Sequence, residues 1–548
     1  MRIVSFNVSH DSSVCSYVDG EIEFYCKEER LSRVKRDKSP FKSLDLYYEQ
    51  NFGPIDHFLY LTPSNNNLTE FEICRIYIKK KFGIELENYS SLNHHECHAS
   101  LAFYNSGFSE ALIVVVDRNG SIYFRDGQSL CRECESVYGA SYSNDFIPLY
   151  KNFWDYQIDS KEIVEGLLDR TYDCDVKCAS PYSIVKVYEA VTTLIGENPI
   201  ENGKTMGLAP YGKDMDYPSL FIDGCGISNY FSCQNDSTCF YQEEIIDSLT
   251  EENYQFYADK AKHVQIETQK EVLKLIKRYV EETDVRKVCV VGGYGLNVVA
   301  NNYYIKNLPD VDFYFEPMAD DSGITIGASM LKYRKETRDD ALYEVDDNFY
   351  HFYDERVPPG KEATSQDIVD QLKDQKIVAL FEGAPEAGPR ALGHRSLLFD
   401  PRNKDGKDIV NTLKNREWYR PFAGVILEEH FPKYFKTLGL TESEYMTINF
   451  ECKGKTVGYV PAIVHVDNTC RIQTVNDGVL FDLLSLFYKQ TGCPMLLNTS
   501  FNLAGDPLVH SVDDALEFIE KTKNNSVFAG VYFVDKEQEE GYTFKRIS

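Results

Sequence analysis

Three apolar runs in this chain each stop at a polar or glycine-tipped turn, and helical patterns lie between them. Ile3 to Val8 alternates as a strand and leads into His10-Asp11-Ser12-Ser13. Ala111 to Val116 is a buried-strand run ending at Asp117, and Lys287 to Val291 ends at Gly292-Gly293. Val14 to Val18 and Glu21 to Cys26 flank Asp19-Gly20, a dipeptide that accepts the positive φ angles of a tight hairpin. Residues 264–282 repeat apolar positions at helical spacing. Strands alternating with helices indicate an α/β protein, and such sheets place their ligands at strand ends.

An antiparallel hairpin first, followed by turns tipped with Asp and Gly, is the layout of the actin and sugar-kinase class of nucleotide-binding folds. At 548 residues the chain is too long for one core, and two to four domains are expected. A boundary falls near 350–365, where a polar stretch carries Pro358-Pro359-Gly360. Beyond it a helix over 365–374 and a strand from Ile377 to Phe381 begin a new unit.

The formal net charge of −28 repels a bare phosphate backbone over most of the surface and argues against a general nucleic-acid coat protein. One local exception is residues 27–42, with seven Lys or Arg against three acids. No signal-peptide pattern opens the chain, and no stretch approaches the roughly 20 apolar residues of a membrane span. The expectation is a cytoplasmic protein whose fifteen cysteines are reduced thiols. Cys131/Cys134 and Cys174/Cys178 read as structural or incidental, because a zinc site usually needs two suitably spaced pairs.

His94 and His98 share one face of a helix, so both imidazoles could reach one metal. Paired histidines are more often core or solvated residues than ligands, unless an acid joins them. Asp117 and Asp321, each at the tip of an apolar segment, are the natural candidates. A mixed imidazole–carboxylate set suits iron, zinc or manganese alike. The second half carries Gly383 to Ser396 with Arg390, then Lys414, Arg416 and Arg420. Glycines allow close backbone approach and guanidinium forks match phosphate oxygens, while surface ion pairs are the plainer explanation for any single arginine. Asn498 and Ser500 follow an apolar strand and offer amide and hydroxyl groups.

The motifs HDSS (10–13), EERLSRVKR (28–36), HHECHA (94–99), GKTMGLAPYG (203–212), GGYGLN (292–297), PMADDSGITIGA (317–328), GAPEAGPRALGHRS (383–396), NREWYRPFA (415–423), HVDNTCRIQTV (465–475) and LLNTSFN (496–502) occur in this order over nearly the whole chain. Together they resemble the O-carbamoyltransferase family of antibiotic and nodulation-factor tailoring. The resemblance implies an actin-like (duplicated ribonuclease H-like), Kae1-like carbamoyl-transfer domain over 1–350. A connector over 351–364 and a YrdC-like α/β domain over 365–548 would follow.

The second domain would make carbamoyl adenylate from carbamoyl phosphate and ATP, with Mg accompanying ATP. Arg390, Lys414, Arg420, Asn498 and Ser500 would bind there. The first domain would pass the carbamoyl group to an acceptor hydroxyl. Its metal, usually Fe(II) in the family, with Zn or Mn also suited, would lie on His94, His98, Asp117 and Asp321. Adenylate contacts are expected at Ser12, Gly120, Gly292, Gly293 and Asn297. His10 is the expected base and Lys35 an expected point charge; His10 could instead only position a phosphate or a turn.

One departure is visible. The family usually has DG after the ligand aspartate, then a further glycine and an acid, whereas this chain reads Asp117-Arg118-Asn119-Gly120-Ser121. A bulky Arg118 therefore stands at the edge where the acceptor or adenylate approaches. Competing readings are a threonylcarbamoyl-type transferase acting on transfer RNA, a plain actin-fold ATPase, and a non-catalytic binding protein. Family acceptors run from sugars and antibiotics to hydroxymethylated pyrimidines of viral DNA. The 38 Tyr and 33 Phe fit an AT-rich, phage-like genome and point towards 5-hydroxymethylcytosine, as nucleotide or DNA. The oligomeric state stays open, a homodimer among the options.

Overall fold

The fold comes from a computed structural model, which describes residues 1–548 apart from 63–67, 87–91, 126–127, 143, 156–173, 180–181, 234–238, 243–248, 251, 339–355 and 539–540. The chain divides into two compact units. One comprises Met1–Glu28 with Arg36–Asp347, and the other comprises Glu29–Lys35 with Asn348–Ser548.

In the first unit Arg2–Asn7 pairs antiparallel with Ser13–Val18, which pairs antiparallel with Glu21–Lys27. His57–Leu61 joins the other side of Arg2–Asn7 in parallel. A second sheet repeats this plan. Glu110–Val116 pairs antiparallel with Gln128–Ser141, which pairs antiparallel with Asn144–Asp155. Lys287–Val291 joins Glu110–Val116 in parallel, and Asp312–Phe315 follows it in parallel. A first strand with two antiparallel strands in succession on one side and a parallel neighbour on the other, occurring twice, is the duplicated actin-like arrangement. The Asp19-Gly20 turn has φ of 49° and 103°, the left-handed pair that a two-residue hairpin needs.

The core explains how the strand ends are held. Ile3, Leu59 and Leu61 of the first sheet pack against Cys97, Ile324 and Ala328, from the helices His94–Asn105 and Ile324–Thr337. The two helices cross closely at Gly327, where an added Cβ would lie 1.9 Å from the Cys97 carbonyl oxygen. Only glycine allows that approach.

The second unit is a nine-stranded mixed sheet. Its order is Lys361–Thr364, Gly541–Ile547, Phe528–Gln538, Ile377–Phe381, Arg395–Phe399, Met495–Ser500, Ala423–Leu427, Thr469–Val475, Asn449–Glu451. Ile377–Phe381 is parallel to Phe528–Gln538 and antiparallel to Arg395–Phe399. The helix Ser365–Lys373 starts with a capping box between Thr364 and Asp367, which satisfies two of the backbone N–H groups at its start. Both units are therefore α/β. Of the 351–364 segment, residues 351–355 lie outside the described residues, and Lys361–Thr364 is a strand paired with the C-terminal one.

Two expectations are revised. The helix expected at 264–282 runs from Tyr254 to Thr283. Its first turns bury Asp259 and Lys260, which hide the apolar period. Asp259 accepts the backbone N–H of Lys213, and Lys260 lies over the rings of Tyr217 and Tyr241. Cys239 is disulfide-bonded, whereas twelve other cysteines among the described residues, Cys131 and Cys134 included, are reduced thiols. The side chain of Cys178 lies outside the described residues. Among the described residues no helix is long and apolar enough to cross a membrane.

Candidate functional site

His94, His98, Asp117 and Asp321 are all buried, and one ligand atom from each lies within 4.8 Å of the others. Asn93 caps the His94 helix, its side chain accepting the N–H of Glu96 and donating to Glu133 at 2.8 Å. The His94 N–H is received by the Ser121 hydroxyl at 3.0 Å. Asp117 leaves the strand Glu110–Val116 and accepts the N–H of Gly293 at 3.1 Å. Asp321 follows Asp320, whose carboxylate caps the turn leading into the Ile324 helix.

His94 Nε2 lies 3.4 Å from Asp117 Oδ2 and 3.5 Å from Asp321 Oδ1, and His98 Nε2 lies 3.7 Å from Asp321 Oδ1. Neither Nε2 makes a hydrogen bond. Burial opposes a charged His94, but Asp321 and Asp117 outweigh it and raise its pKa to about 10. Burial also opposes ionisation of the two aspartates. The imidazoles (His94 and His98 beside Asp117, His10 and His94 beside Asp321) nevertheless hold both below the ordinary carboxylate range. Orphaned imidazole nitrogens facing paired carboxylates fit a divalent cation. A mixed nitrogen–oxygen set does not select the metal. His95 is no part of it: Nδ1 lies 2.7 Å from the Ser136 hydroxyl, and burial lowers its pKa to about 3.

His10 stands at the rim, its side chain one-third exposed, with Nδ1 3.1 Å from Asp11 Oδ2 and Nε2 3.7 Å from Asp321 Oδ2. Asp321 is the main cause that raises its pKa to about 9. With that carboxylate ionised beside it, His10 holds a proton near neutral pH. It can accept one only when the charge on Asp321 is offset. Asp11, at a left-handed φ of 63°, is bound to Lys27 at 2.8 Å, and Lys27 also reaches Asp320 at 3.2 Å. Lys27 balances two of the acids that crowd this site, and its place in a strand hid that task.

The other expected residues divide. Ser12 is buried and donates to the Asn7 carbonyl at 2.6 Å. Gly292 has φ 86°, and a Cβ there would meet the Val116 carbonyl at 2.5 Å. Gly293 holds Asp117, as above. A Cβ at Gly120 would lie 2.5 Å from His95, so packing alone already requires glycine there. Asn297 caps the helix Val298–Asn307 and bonds Gln265, so its amide is engaged structurally. Arg118 forks onto buried Glu189 at 2.8 and 3.1 Å, where Lys186 also bonds at 3.1 Å. The departure from the family pattern is thus anchored. Lys35 falls in the other unit, where its charge acts on Lys414.

The second unit gathers cations around the start of the strand Ala423–Leu427. Ala423 pairs with both Asn498 and Arg471, setting those two residues on either side of it. Lys414, the last residue of the helix Gly406–Lys414, donates to the carbonyl and hydroxyl of Ser500 and to Asn502 at 2.8 and 3.0 Å. Burial first, then Arg416, Arg420 and Lys35, push its pKa well down. Arg416 is lowered to about 9 by burial and by Arg420 and Arg471. Arg471 is lowered to about 10 by burial and Arg420. The Nε atoms of Arg416 and Arg471 are buried without a hydrogen bond. Cations crowded until they repel one another would be relieved by an anion.

Arg420 pairs with Glu417 at 3.2 Å. Asn498 donates to the Ala391 carbonyl and to Gln473. Arg390 sits, partly buried, in a loop that Glu386 gathers by accepting the N–H groups of Leu392, His394 and Arg395. Sequence reasoning missed Arg471 and Asn502, which have no local signature beyond membership in the CRIQTV and LLNTSFN runs.

The family model described as Carbamoyltransferase N-terminus matches residues 58–330, and Carbamoyltransferase C-terminus matches 369–536. Nodulation protein NolNO of Sinorhizobium fredii (strain NBRC 101917 / NGR234) is 26% identical, covering 96% of this chain and 79% of its own. Protein MJ1051 of Methanocaldococcus jannaschii is 27% identical over 96% of this chain and 98% of its own. Among solved structures, HypF of T. kodakarensis matches with a TM-score of 0.37 at 12% identity, covering 62% of this chain and 49% of its own.

Proposed function

The chain belongs to the carbamoyltransferase family, and from that premise we propose that it is an ATP-dependent O-carbamoyltransferase working in two steps. In the second unit, carbamoyl phosphate and ATP would give carbamoyl adenylate. Atom balance takes up one water and releases one inorganic phosphate and one pyrophosphate. In the first unit, the acceptor hydroxyl would attack the carbamoyl carbon, forming the carbamate ester and releasing AMP.

The observation that carries this reading is the cluster of buried Lys414 with partly buried Arg416, Arg420 and Arg471, in a chain whose net charge is −28. Uncompensated buried cations are costly unless an anion joins them, and phosphates are the anions that guanidinium forks match. Lys414, Arg390 and Arg420 would hold phosphate groups, with Ser500, Asn502 and Asn498 setting their positions.

His94, His98, Asp117 and Asp321 would hold a divalent metal. When bound, it would supply Lewis acidity to the carbamoyl carbonyl or the adenylate phosphate. An alkyl hydroxyl is a weak nucleophile near neutral pH, and His10 at the rim would take its proton. Gly292 and Gly293 would let the adenylate approach the strand end.

The test is carbamoyl-phosphate-dependent exchange of labelled pyrophosphate into ATP, followed by mass spectrometry of acceptors incubated with both substrates. The acceptors would include sugars and 5-hydroxymethylcytosine as nucleoside, nucleotide and oligonucleotide. Exchange that proceeds without carbamoyl phosphate would overturn the adenylate step.

A further inference from the structure

Residues Glu29–Lys35 belong to the second unit, although they follow the third strand of the first. Arg33 anchors this strap. Its Nη1 donates to the Leu508 carbonyl at 2.8 Å, Nη2 donates to the Pro507 carbonyl at 3.1 Å, and Nε lies 3.3 Å from Asp514. Arg33 takes the left-handed φ of 60°, uncommon for a side-chain-bearing residue, so these contacts hold the backbone where it would not rest unaided.

Three residues earlier, Arg30 is 5% exposed. Its Nη2 donates to the Gly388 carbonyl at 3.1 Å, within the loop that carries Arg390. Its Nε and Nη1 are buried without a hydrogen-bond partner, and Glu29 Oε1 lies 3.8 Å from Nε. The surroundings are cationic. His510 is kept neutral by burial and by Arg395, Arg30 and Arg33, against a single opposing Asp514. A buried guanidinium with two N–H-bearing nitrogens unmet lacks an acceptor, and the group whose geometry meets such a fork is an oxyanion.

We propose that Arg30 is an anion-binding residue of the second unit's phosphate site, carried there on a strap that Arg33 positions. The ligand is a phosphate group, from carbamoyl phosphate or from ATP. The proposal rests on the phosphate reading of this unit given above, and it makes that site depend on a segment far away in sequence.

Calorimetric titration of the full chain with carbamoyl phosphate, and separately with Mg-ATP, tests it in wild type, Arg30→Met and Arg30→Lys. Arg30→Met should leave the Tm without ligand unchanged or higher, because an unmatched buried charge is removed. It should weaken at least one ligand by about tenfold or more. Loss confined to carbamoyl phosphate assigns its phosphate to Arg30, and loss confined to ATP assigns the nucleotide's. Arg30→Lys, which keeps the charge without the fork, should fall between. Affinities within twofold of wild type, with or without a lowered Tm, overturn the Arg30 assignment and spare the site. Failure of wild type to bind either ligand overturns both.

Discussion

Asp117 and Asp321 approach His94 at 3.4 and 3.5 Å, so each of the four residues of the cluster offers one donor to a common point. Removing one donor from a four-ligand site lowers metal affinity steeply. His94→Ala and Asp321→Asn should therefore lose bound metal, read by elemental analysis, while pyrophosphate exchange stays near wild type. Full occupancy in both variants would sink the ligand assignment.

A separate residue sets a pH dependence. Glu135 is buried and raised from 4.5 to about 7, by burial first, despite hydrogen bonds from Asn152 and the Ile184 N–H. Between pH 4.5 and 7 the unfolded chain releases this proton and the folded chain keeps it, so stability falls as pH rises through that window. The cost then levels off at about 3 kcal/mol. Glu135→Gln should raise the Tm at pH 8 and match wild type at pH 5. An equal difference at both pH values would refute the assignment. At this scale the clustering of His94, His98, Asp117 and Asp321 was legible, because His94 and His98 share a face and the aspartates end apolar runs. Arg471 was not, because in an alternating strand its residue type reads as a solvent-facing position. Gly120 and Asn297 also have packing and capping tasks, which use the same residue types as ligand binding.

Elements position these side chains, and the contact of the His94 and Ile324 helices does so through Gly327. An added methyl would lie 1.9 Å from the Cys97 backbone oxygen, so a helix must move. Gly327→Ala should lower the Tm, by an overpacking cost of about 1–3 kcal/mol. It should also cut metal occupancy, because Asp321 precedes the displaced helix. Gly203→Ala, where an added Cβ meets nothing within 4 Å, should leave both unchanged or gain up to about 1 kcal/mol. Metal retained at wild-type level in Gly327→Ala would show that the close approach does not set the site. The strands were legible as apolar runs with polar ends, and the hairpin from Asp19-Gly20. The start of the long helix at Tyr254 was not, because Asp259 and Lys260 are buried by partners distant in sequence. Pairing was also out of reach, since the joining of Ala423 to both Asn498 and Arg471 is a property of the sheet.

For the whole molecule, the two proposed chemistries would sit on residues with no member in common: two histidines and two aspartates in one unit, lysine and arginines in the other. Each can then be removed alone. Lys414→Ala should abolish pyrophosphate exchange yet keep its metal. His94→Ala should retain exchange yet transfer nothing. Mixing these two full-length variants asks what becomes of the intermediate. Carbamoyl adenylate is a mixed anhydride, and water destroys such species unless the enzyme excludes it. If the adenylate made by His94→Ala is kept from bulk water, it never reaches the intact transfer residues of Lys414→Ala, and the mixture forms no carbamoylated acceptor. That is the outcome expected, measured by mass spectrometry at protein concentrations where wild type completes many turnovers. Product that rises with the concentration of the two variants would mean that the adenylate crosses solvent between molecules, which would refute protected transfer while leaving the two-step reaction in place.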